Sequence, residues 1–185
     1  AKENYGLNLF LGMYQEAAVE RGSFEVATLF HVLEHLKDPV DDLRNMSEFL
    51  KDGGYFAIEV PDILYAGMHF DHKWHDGHLF GFDLKTLEGV VNSAGLHTVT
   101  LEKEGGNLFG VFQKRSSEQV EVPDLSGHCE EALAEMKEGR AKYWSYPETY
   151  IKPFKKIARS MKEKASVSSK EAGREILDSL YGKAS

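Results

Sequence analysis

The sequence is short of several things that would settle its class at once. It has one cysteine, Cys129, in 185 residues, which excludes an internal disulfide framework and suits a reducing cytoplasm. No neighbouring residue activates Cys129 as a nucleophile. No run of about 18 apolar residues occurs and no basic-then-apolar leader opens the chain, so neither a membrane span nor a signal peptide is expected. An excess of positive charge is also missing: 22 Lys and Arg face 30 Asp and Glu, giving a formal net charge of −8, which argues against general nucleic-acid binding. There is no internal repeat or low-complexity tract. No G-x-G precedes Phe24, and Gly6, Gly12 and Gly22 stand alone.

What is present concentrates between residues 24 and 61. Val26, Ala27, Leu29 and Phe30 form a short continuous apolar run, the pattern of a strand buried on both faces of a parallel sheet. The run breaks into His31, Glu34 and His35. After Pro39, the spacing of Val40, Leu43, Met46, Phe49 and Leu50 predicts a helix, with Asp41 and Asp42 in its first turn where the dipole favours anions. Gly53 and Gly54 read as its stop, and Tyr55 to Val60 as a second apolar strand interrupted by Glu59. A parallel pair needs a crossover of about a dozen residues or more, usually helical, and this interval supplies it. Ligands of open α/β sheets bind outside the carboxyl ends of the strands, which is where the three polar residues fall.

The succession FEVATLFHVLEHLKDP, FLKDGGYFAIEVP and HLFGFDLKTLEGVVNSAGL resembles the C-terminal half of class I S-adenosylmethionine-dependent methyltransferases of the type 11/12 group, over roughly residues 5 to 114. The resemblance implies a partial Rossmann-like α/β sheet, mainly parallel, with a C-terminal antiparallel hairpin. It also implies S-adenosylmethionine as cofactor and a small-molecule or glycan hydroxyl, or an amine, as methyl acceptor. The glycine-rich cofactor loop of that family and the acidic ribose-binding residue after it are absent, so a truncated fragment, inactive alone, is expected. The rival expectation is a non-catalytic methyltransferase-like interaction module. By the same resemblance Leu7 to Met13 is a strand, Met13 and Tyr14 meet the adenine, and Phe30 and His31 line the methionine end of the cofactor. With its usual neighbours missing, the strand from Glu25 to Phe30 becomes a sheet edge, a template for pairing, and self-association is expected.

The stretch MHFDHKWHDGHLFGF carries histidines at positions 69, 72, 75 and 78. A polar loop accounts for His69 and His72. His78 precedes Leu79 and Phe80, and the resemblance sets such a histidine over the mouth of the site. Trp74 and His75 are candidate acceptor contacts, while Glu34, His35 and His78 are candidates for deprotonating or orienting the acceptor. H-x-x-E-H is also an inverted zinc-peptidase signature, but that role requires a helix through all five residues, and the strand before them and Pro39 after them leave no room for one. Methyltransferases of the ubiquinone pathway and of small RNAs carry E-x-x-E-H after the same strand and bind a divalent metal with it. Here His31 replaces the first Glu, which disfavours Mg²⁺ and leaves Zn²⁺ or Mn²⁺ conceivable.

Asp83 is a suitable N-cap for a helix from Lys85 to Ser93, with Gly95 as its stop. Strands from His97 to Glu102 and from Leu108 to Gln113 surround a Gly105-Gly106 turn, a hairpin. Residues 1–114 thus read as the methyltransferase portion, 115–127 as a linker, and 128–185 as a helical appendage of three segments: Cys129 to Tyr143, Tyr150 to Ala165 and Lys170 to Tyr181. The middle segment pairs an apolar face with several Lys and Arg, a pattern that usually means a packed helix with a solvated face and otherwise an anionic partner.

Overall fold

The computed structural model describes residues 10–67, 76–145 and 147–166. Its elements in chain order are β1 (Phe24–Phe30), α1 (Pro39–Ser47), β2 (Leu50–Pro61), α2 (Leu84–Ser93), β3 (Leu96–Glu104), β4 (Asn107–Lys114), α3 (His128–Lys142) and α4 (Pro147–Ser166). Single 3₁₀ turns occur at Tyr14–Glu16, Leu33–His35 and Tyr143–Ser145. The chain divides into two compact units, Ala18–Trp144 and a second made of Ala1–Ala17 with Ser145–Ser185.

The four strands form one sheet in the order β1-β2-β4-β3. β1 and β2 are parallel, joined through α1, while β2–β4 and β4–β3 are antiparallel. The expected βαβ unit and the expected C-terminal hairpin are therefore both present, and β1 is an edge strand among the described residues. Period-two alternation sends Phe56, Ile58 and Val60 of β2 and Leu108 and Phe112 of β4 to one face. There they meet Leu43 of α1 and Leu87 and Val91 of α2 in a single buried cluster. Each such side chain contributes about 1.5–3 kcal/mol by leaving water. On the other face Val26 of β1 and its register partner Tyr55 of β2 are exposed.

Helix starts follow the sequence closely. The Asp38 side chain accepts the Asp41 amide at 3.0 Å ahead of Pro39 at the first helical position. Asp83 builds a full capping box: its carboxylate accepts the Thr86 amide, and the Thr86 hydroxyl accepts the Asp83 amide, each at 2.9 Å.

Some boundaries differ from expectation. Residues 10–13 are not a strand, so Met13 precedes a 3₁₀ turn instead of ending one; residues 7–9 lie outside the described residues. Gly53 and Gly54 do not stop a helix. α1 ends at Ser47, and the glycines lie inside β2, where the pairing jumps from Phe24–Leu50 to Val26–Tyr55. This bulge needs Gly53 at φ 78°, and a Cβ at Gly54 would stand 2.9 Å from the Lys51 carbonyl oxygen. The Lys170 to Tyr181 segment lies outside the described residues, and residues 115–127 hold no helix or strand. No helix among the described residues is long and apolar enough to cross a membrane.

Candidate functional site

Chemistry-bearing side chains gather where β1 and β2 end. β1 delivers the chain to His31, whose amide still donates to the Glu59 carbonyl at 2.9 Å. His31 then takes φ 54°, a left-handed conformation that turns the backbone sharply out of the sheet. The next residues wind into the 3₁₀ turn Leu33–His35, with Leu33 anchored in the core. His31 and His35 therefore do not share one continuous helix, which removes the peptidase geometry. Leu33 draws its neighbour inward as well: Glu34 is only 1% exposed, and neither of its carboxylate oxygens accepts a hydrogen bond from the described residues. A buried carboxylate left in this condition is costly unless a cation or a proton answers it.

Imidazoles surround that carboxylate. His31 Nδ1 stands 3.4 Å and His35 Nε2 3.9 Å from Glu34 Oε1. His35 Nδ1 lies 2.7 Å from the Gly77 carbonyl oxygen. That oxygen only accepts, so Nδ1 carries a proton, and in the neutral ring Nε2 is the acceptor nitrogen. His78 packs edge-on against His35, with ring centroids 4.8 Å apart. The Glu34 carbonyl accepts the Leu79 amide at 2.8 Å and the Phe80 amide at 3.3 Å, which straps the 77–80 segment over the turn. The ligand atoms of Glu34, His35 and His78 all lie within 4.8 Å of one another.

The structure thus brings together four of the residues singled out from sequence, His31, Glu34, His35 and His78, and it leaves Phe30 half-exposed at the end of β1. Met13 and Tyr14 belong to the other compact unit. Trp74 and His75 lie outside the described residues. Sequence reasoning missed Glu59 and its link to Asn107. Glu59 Oε1 stands 3.3 Å from His31 Nε2 and accepts the Asn107 amide group at 2.6 Å, so His31 bridges two carboxylates. The signal for Glu59 was available: it is the sole charged residue in the apolar strand from Tyr55 to Val60, near its carboxyl end.

A second ionic contact lies at the start of α2. His128 Nε2 meets Asp83 Oδ2 at 2.8 Å and His128 Nδ1 meets Glu131 at 3.3 Å. The hydrogen bond to Asp83 raises the His128 pKa above its ordinary value, against a smaller opposing effect of burial. Burial by itself would raise Asp83, but the Thr86 amide and then His128 outweigh it and hold its carboxyl low.

The sequence profile of the methyltransferase domain family matches residues 7–101. No curated protein matches the chain. Among solved structures, a chain from the complex between the Haloferax volcanii Trm112 methyltransferase activator and a methyltransferase is similar over 59% of this chain and 61% of that one, at 13% identity and TM-score 0.50. A methyltransferase of Thermotoga maritima, titled a possible histamine N-methyltransferase, is similar over 60% of this chain and 65% of that one, at 17% identity and TM-score 0.47. An Aquifex aeolicus methyltransferase matches over 57% and 53%, at 12% identity and TM-score 0.44. The chain thus spans less than two thirds of the length of these structures.

Proposed function

The chain belongs to the methyltransferase domain family, and on that premise we propose that it takes part in S-adenosylmethionine-dependent methyl transfer to a hydroxyl, or less readily an amine, of a small molecule or glycan. The observation that carries the reading is the buried, hydrogen-bond-free carboxylate of Glu34 set among imidazoles at the carboxyl end of a parallel strand. A methyl acceptor must lose a proton as it attacks, and most of the catalytic gain lies in holding it in line. His35 Nε2, with its lone pair free by virtue of the Gly77 contact, is suited to receive that proton. Glu34 would balance the resulting charge, and His78 would orient the acceptor from the strapped segment. His31 and Phe30 would form the wall next to which the methyl donor stands.

S-adenosylmethionine supplies an electrophilic methyl on sulfur when bound. Of the described residues, Phe30 and His31 would hold one wall of its site. A divalent metal is the alternative occupant: Glu34, His35 and His78 offer one oxygen and two nitrogens, a donor set suited to Zn²⁺ or Mn²⁺ more than to Mg²⁺, and His35 Nε2 would then hold the ion instead of taking the acceptor's proton. Such an ion would polarise an acceptor hydroxyl. The single cysteine supports a cytoplasmic setting, and the exposed β1 edge supports pairing with another chain, including a second copy.

Calorimetric titration of S-adenosylhomocysteine into this chain, and into the longest form that its gene encodes, tests the reading. Binding by the longer form is expected, with Glu34→Gln lowering its kcat by about 10²-fold or more while leaving cofactor affinity unchanged. Binding by neither form would overturn the catalytic reading in favour of a non-catalytic interaction module.

A further inference from the structure

α4 presents an apolar stripe to solvent from Tyr150 to Met161. At 100° per residue, Tyr150, Ile151, Phe154, Ile157 and Met161 fall within an arc of about 120°. All five are exposed, Phe154 and Met161 by 71% and 67%. No charged residue interrupts that arc. The opposite arc holds Lys152, Lys155, Lys156, Arg159 and Lys162, and the helix carries six Lys or Arg against Glu148 and Glu163 in a chain whose formal charge is −8. One of those acids, Glu163, is already paired with Arg159 at 2.7 Å.

We propose that α4 is an interfacial helix that binds an anionic lipid surface. Three observations select this occupant. The helix is amphipathic with modest overall hydrophobicity, and its aromatic and aliphatic side chains lie opposite lysines, the arrangement that settles an interfacial helix at the headgroup boundary with its apolar face in the acyl region. Its excess positive charge complements a negative surface, and each Lys or Arg near such a surface adds about 1 kcal/mol, roughly fivefold in binding. The same charge opposes pairing of α4 with the α4 of a second copy, because like-signed helices repel at close range. An acidic chain with one strongly basic helix would also be oriented by the membrane: α4 is drawn in while the remainder is pushed outward.

Co-sedimentation of the full chain with vesicles tests this. Binding is expected to vesicles of phosphatidylcholine mixed with phosphatidylglycerol, at least tenfold tighter than to phosphatidylcholine alone, and to weaken between about 0.05 M and about 0.5 M salt. Lys155→Gln with Lys156→Gln should weaken it by about tenfold or more. These side chains are exposed, so this variant keeps the fold, and circular dichroism would verify that it does. Phe154→Ser with Ile157→Ser should abolish binding in salt and in its absence. Equal affinity for neutral vesicles, binding indifferent to both variants, or no binding to either vesicle would overturn the proposal. A wild-type dimer that Phe154→Ser with Ile157→Ser converts to monomer, without vesicle binding, would assign the stripe to a second copy instead.

Discussion

Replacing His128 by alanine should destabilise the protein in a way that depends on pH, with a sign fixed by the geometry. His128 is the first residue of α3 and its imidazole meets Asp83 Oδ2 at 2.8 Å, with only 13% of the histidine side chain and 5% of the aspartate exposed. Asp83 in turn caps α2, so the contact ties the start of one helix to the start of another. A hydrogen bond to a charged group in this position is worth about 1.5–3 kcal/mol. Because the bond raises the folded-state pKa of His128, its stabilisation is fully present below the unfolded histidine value of about 6.5 and is lost as pH rises through the raised folded value. Asp83 runs the other way. Its carboxyl is held low, so its share is present above about pH 4 and is lost as pH falls through the lowered value. The pair is therefore at full strength between about pH 4 and 6.5. Urea denaturation of wild type and His128→Ala at pH 5.5 and 8.5, followed by far-ultraviolet circular dichroism, should show a cost of about 1.5–3 kcal/mol at the lower pH that shrinks at the higher. Lost packing contributes equally at both values, so the difference isolates the ionic part. A cost that stays constant, or that grows with pH, would refute the assignment.

Glu34→Met should raise the urea midpoint, by about 1–3 kcal/mol in unfolding free energy, because it replaces a buried acceptor that lacks hydrogen bonds with an apolar side chain of similar length; a lowered midpoint would show that Glu34 has an unseen partner. Gly54→Ala should cost about 1–3 kcal/mol, since the added Cβ would press on the Lys51 and Glu25 carbonyl oxygens at 2.9 and 3.1 Å. An unchanged midpoint there would mean that the β2 bulge relaxes freely.

The parts of this molecule that were legible in its sequence are the ones governed by neighbours along the chain. The apolar run 26–30, the Asp83 N-cap and the Gly105-Gly106 turn each announce an element through local rules, and each element is present. Gly53-Gly54 misled because glycine marks both a helix stop and a strand bulge, and only the pairing with Phe24 and Val26 distinguishes them. His31, Glu34 and His35 were identified because polar residues after an apolar run are conspicuous, and His78 through the resemblance that sets a histidine there. Their mutual arrangement was not readable, since it depends on His31 adopting a left-handed backbone and on Leu33 dragging Glu34 under cover. Glu59 and its link to Asn107 were missed for a related reason. They reach His31 only through the register of β2 with β1 and with β4, a relation between residues distant in sequence.

The position of β1 at the sheet edge bears on how firmly the cluster at its end is held. Three of the side chains that converge there, His31, Glu34 and His35, follow directly upon a strand bonded, among the described residues, to a neighbour on one side only. Opening such a strand costs less than unfolding the domain, so the cluster inherits the looser end of the molecule's range of local stabilities. Anything that binds the outer edge of β1 and quiets it would pre-pay part of the ordering cost of a ligand at the strand's tip, and by reciprocity that ligand would tighten the edge's grip on its partner. Recognition at the edge and affinity at the tip are then one thermodynamic quantity, shared through the stiffness of seven residues.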